Sequence, residues 1–158
     1  MRQRLILLIS ATTIVASSAA AWAVMPPAVY KQAAKSAAHH VQVKVLEVKA
    51  PAKGPGECAI KAQLVTIFRD KSKKMKKGQK LSFSISCMKE GDAQPPPGGT
   101  IWKHYEQLRK AKFLEVALNS DSALKRFSVA RWNSSIIAKP SKKPQYGFPF
   151  QPAKKKSR

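Results

Sequence analysis

The stretch GECAIKAQLVTIFRDKSKKMKKGQKLSFSISCM, residues 56–88, decides the fold. From Cys58 to Phe68 the apolar residues fall mainly on even positions: Ile60, Ala62, Leu64 and Phe68. From Leu81 to Cys87 they fall on odd ones: Leu81, Phe83 and Ile85, with Ser82, Ser84 and Ser86 between. Alternation of period two is the mark of a strand with one buried face. Two such strands around a short polar segment form an antiparallel hairpin. Setting Cys58 opposite Cys87 places Ile60 opposite Ile85, Ala62 opposite Phe83 and Leu64 opposite Leu81. A slip of one residue would put Ile60 against a serine, so burial constrains the register. Opposed residues in such a pair lie within disulfide range. The expected Cys58–Cys87 bridge closes a loop of about 30 residues.

The hairpin's turn, 69–80, carries Arg69, Lys71, Lys73, Lys74, Lys76, Lys77 and Lys80 against the single acid Asp70. Like charges at this density repel and stay solvated. They project from one end of the paired strands, where phosphate or sulfate groups could dock.

Outward from the hairpin, the chain begins Met1-Arg2-Gln3-Arg4, followed by an apolar run and an Ala/Ser/Thr-rich stretch ending in Ala21-Trp22-Ala23. This pattern reads as a secretory signal peptide over residues 1–23, the alternative being a retained anchor. An exported, periplasmic or secreted bacterial protein is expected, and that compartment favours a disulfide over two free thiols. The chain has a net charge of +22, and loss of Arg2 and Arg4 with the signal leaves +20 on the mature form. Such a charge attracts polyanions. The partner classes are therefore nucleic acid, lipopolysaccharide, acidic glycans, an acidic protein or an anionic membrane surface.

Residues 24–40 form an N-terminal extension with a short helix over 28–38. His39-His40 reads as the solvated start of a strand, since no third metal ligand stands at useful spacing. Val41, Val43 and Val45 alternate with polar residues, and Leu46 and Val48 then switch parity, through a bulge or a strand buried on both faces. Residues 50–56 hold two prolines and two glycines and turn the chain. Residues 90–99 include Pro95-Pro96-Pro97-Gly98-Gly99, long for a hairpin loop. Thr100 is placed to cap a helix over 101–111. Leu114, Val116 and Leu118 alternate in a further strand with Glu115 outward, and Phe127 to Ile137 forms the last. From Lys139 the chain is rich in Pro, Lys and Ser and reads as a disordered basic tail over 139–158. Within it Tyr146, Phe148 and Phe150 sit at period two, suited to stacking on bases or sugars or to a membrane interface.

The order strand, strand, strand, helix, strand, strand resembles the OB-fold. The expected domain is thus a mainly β, five-stranded Greek-key barrel over 41–138, with one short helix between the third and fourth strands. The resemblance implies an oligonucleotide or oligosaccharide face on the second and third strands, where Lys61, Gln63, Lys80, Ser82 and Ser84 point outward. The segment 65–87, with Lys77-Gly78 after the basic turn and a strand running to a cysteine, also resembles the netrin-like modules of metalloprotease inhibitors. Those inhibitors present an amino-terminal cysteine to the protease metal. The mature end here has none, so that activity is not implied.

No acid pair or cysteine–histidine arrangement is legible around His39, His40 and His104, and no cofactor motif is present. The sequence therefore reads as a binding module for an anionic polymer rather than an enzyme. A protein-interaction or inhibitor module with an acidic partner is the alternative, and a cationic membrane-active protein a further one.

Overall fold

A computed structural model describes residues 26–95, 100–121 and 126–145. The signal segment, part of the proline-rich loop and the aromatic end of the tail fall outside these. The elements are α1 (Pro27–Ser36), β1 (His39–Lys49), β2 (Gly56–Asp70), β3 (Lys80–Met88), β4 (Lys103–His104), α2 (Tyr105–Lys110), β5 (Phe113–Asp121) and β6 (Arg126–Ile137).

Five of the strands close into a barrel. β1 pairs with β2 and β5, β2 with β3, and β5 with β6, all antiparallel. A short parallel pairing of β3 with β6, Phe83 with Phe127 and Ser84 with Ser128, closes the ring. Closure removes the exposed edges that an open sheet would leave. The helix α2 lies between the third and fourth barrel strands. The architecture is the mainly β barrel expected from the sequence and is compatible with an OB-like fold.

Alternation places the core. Val41, Val43, Ile60, Ala62, Leu64, Leu81, Phe83, Ile85, Leu114, Val116 and Leu118 are buried together, joined by Leu108 of α2 and by both cysteines. The parity switch in β1 is a bulge: Val45 pairs with Ala62 and Glu47 with Lys61, leaving Leu46 without a partner and 46% exposed.

The cysteines form the expected disulfide, with Cα atoms 5.6 Å apart. The register differs from the one expected. Cys58 pairs with Ile85 and Gly56 with Cys87; Ile60 pairs with Phe83 and Ala62 with Leu81. The bridge therefore runs diagonally between neighbouring pairs. A shift of two residues keeps every side chain on its face, so alternation excludes a slip of one but does not distinguish a slip of two. Beyond Gln63, β2 also leaves β3 and follows β1, with Ile67 against Val41 and Asp70 against His39. Arg69 is thus a strand residue, not part of the free turn.

One other expectation needs correction. The helix near residue 101 starts only at Tyr105, with His104 and not Thr100 preceding it. Lys103 and His104 instead extend alongside β3, opposite Cys87 and Met88, so strand pairing takes the residues that a first helical turn would use. From residue 26 the N-terminal extension reaches the barrel: α1 carries the buried Tyr30, and β1 begins at His39.

On β6, residues 130–133 bulge out opposite Ala117, because Val116 pairs with Ser134 and Leu118 with Val129. Arg131 and Trp132 take left-handed φ values of 45° and 58°, costly for side-chain-bearing residues. Buried Asn133 holds the bulge, its Nδ2 donating to the Ala130 carbonyl at 2.6 Å and to the Tyr30 carbonyl of α1 at 3.2 Å. Trp132 stacks obliquely on Tyr30, ring centroids 6.1 Å apart. Asn133→Ala should cost about 1–2 kcal/mol by leaving those carbonyls unserved. Chemical denaturation checks this, and unchanged stability would show that the bulge holds without the amide.

Candidate anion-binding site

The lysine-rich turn is built on Asp70. Its Oδ1 accepts from the Ser72 N–H at 3.0 Å and the Ser72 hydroxyl at 2.6 Å, and its Oδ2 accepts from the Met75 N–H at 2.8 Å. On the far side Gln79 Oε1 accepts from the Lys76 N–H at 3.0 Å, and Gln63 Nε2 donates to the Gly78 carbonyl at 3.0 Å. Gly78 has a φ of 83°, a conformation that favours glycine. Met75 packs against the core from within the turn. Lys73, Lys74, Lys76, Lys77 and Lys80 are exposed around this braced backbone. A ligand would meet an ordered backbone, so binding has only the lysine side chains left to order.

Burial works to raise the Asp70 carboxyl, but donation from the Ser72 hydroxyl, the Met75 and Ser72 N–H groups and His39 outweighs it and holds the group far below the ordinary carboxylate range. Asp70→Asn should loosen the turn, because an amide accepts at only one of its two terminal atoms. Faster proteolysis between Lys71 and Lys80, and a stability loss of about 1–2 kcal/mol, are the expected results. Wild-type cleavage rates would contradict this role.

The other cations expected in the site are placed differently. The Arg69 guanidinium donates to the Ala34 carbonyl, and Lys71 Nζ donates to the Ser36 carbonyl at 2.7 Å. Both serve unpaired carbonyls at the C-terminal end of α1, where cations also meet the negative end of the helix dipole. They link helix to barrel. Lys61 is exposed on the outer face and pairs with Glu47 at 2.8 Å, as does Lys49 at 3.3 Å. Those two lysines hold the Glu47 carboxyl below its ordinary value. Exposed pairs of this kind contribute little to stability, so Lys61 can exchange its partner for a ligand. Beside it, Lys61, Gln79, Lys80 and Ser82, with Leu46 and Phe127, line an open groove of about 550 Å³. This groove adjoins the lysine turn through Gln79 and Lys80, while Gln63 braces the turn and Ser84 lines a neighbouring recess of about 130 Å³.

His39 and His40 open β1 as expected, but neither is freely solvated. His39 is 1% exposed, with Nδ1 2.9 Å from Asp70 Oδ1 and Nε2 3.1 Å from Ser120 Oγ. The Phe127 ring meets its edge with centroids 5.5 Å apart. His40 Nε2 lies 2.8 Å from Glu115 Oε1. Sequence reading missed both clusters because their members lie 31 to 81 positions apart. The one local signal was the run of polar residues at strand ends: His39-His40, Arg69-Asp70 and Asn119-Ser120. Among the described residues no group of three or more His, Cys, Asp or Glu side chains is arranged to hold a metal ion.

Glu115 points outward from the barrel, as its parity requires, yet is 0% exposed. Residues 139–145 cover it. The Gln145 N–H donates to Glu115 Oε2 at 3.0 Å, Gln42 Nε2 donates to the same oxygen at 2.6 Å, and the Ser141 N–H donates to Gln42 Oε1 at 2.9 Å. The start of the expected tail is therefore strapped across β1 and β5. The aromatic residues Tyr146, Phe148 and Phe150 lie outside the described residues. Burial pushes the Glu115 carboxyl up, but donation from His40, Gln42 and Gln145 holds it below its ordinary value.

Asp70 and Glu115 both titrate lower in the folded chain than in the unfolded one. Their contribution to stability is present above their ordinary values of 3.8 and 4.5 and is lost as pH falls through the folded values. Melting temperature should hold from pH 7 to about 5 and fall progressively toward pH 3. A melting temperature unchanged at pH 3 would contradict the assignment.

The disulfide is compatible with an oxidising compartment, and no helix among the described residues is long and apolar enough to cross a membrane. Comparisons of the chain with protein-family models, curated proteins and solved structures gave no match.

Proposed function

We propose that this protein is an exported binding module for an anionic polymer: an envelope glycan, lipopolysaccharide or nucleic acid. The observation that carries the reading is the braced turn, which holds five exposed lysines at one end of a closed barrel, next to the groove at Lys61 and Lys80. Charge alone would give nonspecific attraction. A rigid cationic turn joined to a groove with hydroxyl and amide groups adds a defined site. The signal-like segment over 1–23 and the disulfide support export to the periplasm or beyond, where envelope polymers are the abundant polyanions. No small-molecule cofactor enters this reading.

The test is a binding screen of the chain lacking residues 1–23 against duplex DNA, lipopolysaccharide, a sulfated glycan and anionic vesicles, each at low and high salt. Saturable binding to one of the polymers, weakened by salt, is the expected result. Co-purification of one stoichiometric acidic protein, with no polymer bound, would select the protein-interaction alternative, toward which the netrin-like resemblance points. Leakage of the vesicles, lost on removal of residues after Lys139, would select membrane action.

A further inference from the structure

Three strands that meet at the lysine-bearing end of the barrel bring together a serine, a histidine and an aspartate. His39 opens β1, Asp70 ends β2 and Ser120 lies near the end of β5. Asp70 can only accept when ionised, so a neutral His39 ring beside it carries its proton on Nδ1, 2.9 Å away. That leaves the Nε2 lone pair facing Ser120 Oγ at 3.1 Å, and the hydroxyl donates to it. The histidine is 1% exposed and in T-shaped contact with the Phe127 ring. The serine itself is exposed. A buried, oriented base behind an accessible hydroxyl is the arrangement that activates a serine nucleophile.

We propose that Ser120 is a nucleophile for carboxylic esters, with His39 as its general base and Asp70 as the positioning residue. Ser120 Oγ bonds to the ester carbonyl carbon while its proton passes to His39 Nε2. The acyl–oxygen bond then breaks and His39 returns the proton to the departing alkoxide, releasing the alcohol. Water attacks the acyl-serine, giving its proton to His39. The serine leaves as the acid forms and recovers the proton, so that ester and water become acid and alcohol. This activity goes beyond polymer binding and does not depend on it.

The test uses the disulfide-bonded chain lacking residues 1–23, a fluorophosphonate probe and p-nitrophenyl acetate. Peptide mapping by mass spectrometry should find the phosphonyl adduct at Ser120, formed at least 100-fold faster than at Ser82 or Ser128, which are exposed serines elsewhere on the barrel. Ester hydrolysis should be lost in Ser120→Ala, whose exposed site leaves folding intact. Asp70→Asn should slow labelling at Ser120 at least 10-fold and leave Ser82 and Ser128 at their wild-type rates, and the imidazole nitrogen shifts of the unaltered protein should place the His39 proton on Nδ1. Labelling spread evenly over the serines, or hydrolysis equal in Ser120→Ala, would overturn the proposal. The comparison of serines within the unaltered protein decides the matter even if the aspartate variant does not fold.

Discussion

Raising the salt from about 50 to about 200 mM should weaken binding to a duplex DNA probe by roughly 500-fold. That figure follows if Lys73, Lys74, Lys76, Lys77 and Lys80 each neutralise one phosphate, because log K falls by about 0.9 per contact for each tenfold rise in salt. The count excludes Arg69 and Lys71, which are committed to the carbonyls of α1, and Lys61, whose transfer to a phosphate would leave Glu47 to recruit a cation in its place. The slope thus measures the site as well as the charge. Engagement of every cation on the chain would give a far steeper one. A flat response between the two salts would remove the electrostatic reading altogether. For flexible single strands the slope per contact is smaller, about 0.7, so comparing the two probes at fixed protein also checks that phosphates set the affinity.

Reduction of the Cys58–Cys87 bridge should lower the unfolding free energy by about 3–4 kcal/mol, the chain-entropy value for a loop of about 30 residues. For a domain of this size the melting temperature should fall by roughly 10–20 °C. The effect acts mainly on the unfolded chain: both cysteines remain buried among Ile60, Phe83 and Ile85 whether bridged or not. The bridge joins the start of β2 to the end of β3, whereas the lysine turn connects their other ends. Reduced protein that is still folded should therefore bind a polyanion as the oxidised form does. Calorimetry with and without a phosphine reductant checks the first point and a binding titration well below the reduced melting point checks the second. A loss below about 1 kcal/mol would mean that the unfolded chain keeps its ends together without the bond.

Much of the fold was legible because it rests on periodicity. The even run in β2, the odd run in β3 and the alternation around Leu114 each name a buried face, and two cysteines on inward positions name a bridge. Periodicity is silent about a shift of two, which is why the faces were correct and the pairing of Cys58 was not. It is also silent about where a long strand changes partner. Arg69 and Asp70 look like turn residues in sequence; β1 draws them into a strand, and Asp70 then works as a hub. Lys73 to Lys80 could be read as one exposed basic cluster from local composition. The roles of Arg69 and Lys71 could not, since they depend on α1 packing at the end of β2. The Asp70–His39–Ser120 chain and the cover over Glu115 are products of closure, joining positions far apart in sequence, and no local pattern announces them.

The most direct test of the central claim is a pair of charge variants with equal net charge. In one, Lys73, Lys74, Lys76 and Lys77 become glutamate; in the other, the exposed Lys53, Lys110, Lys112 and Lys142 do. Affinity of each for the polyanion selected by the screen is measured at one salt concentration, with folding checked by circular dichroism. The braced turn as binding site predicts at least a 100-fold loss in the first variant and a loss of less than tenfold in the second. Equal losses in the two would show that overall charge, and not the turn on Asp70, draws the ligand.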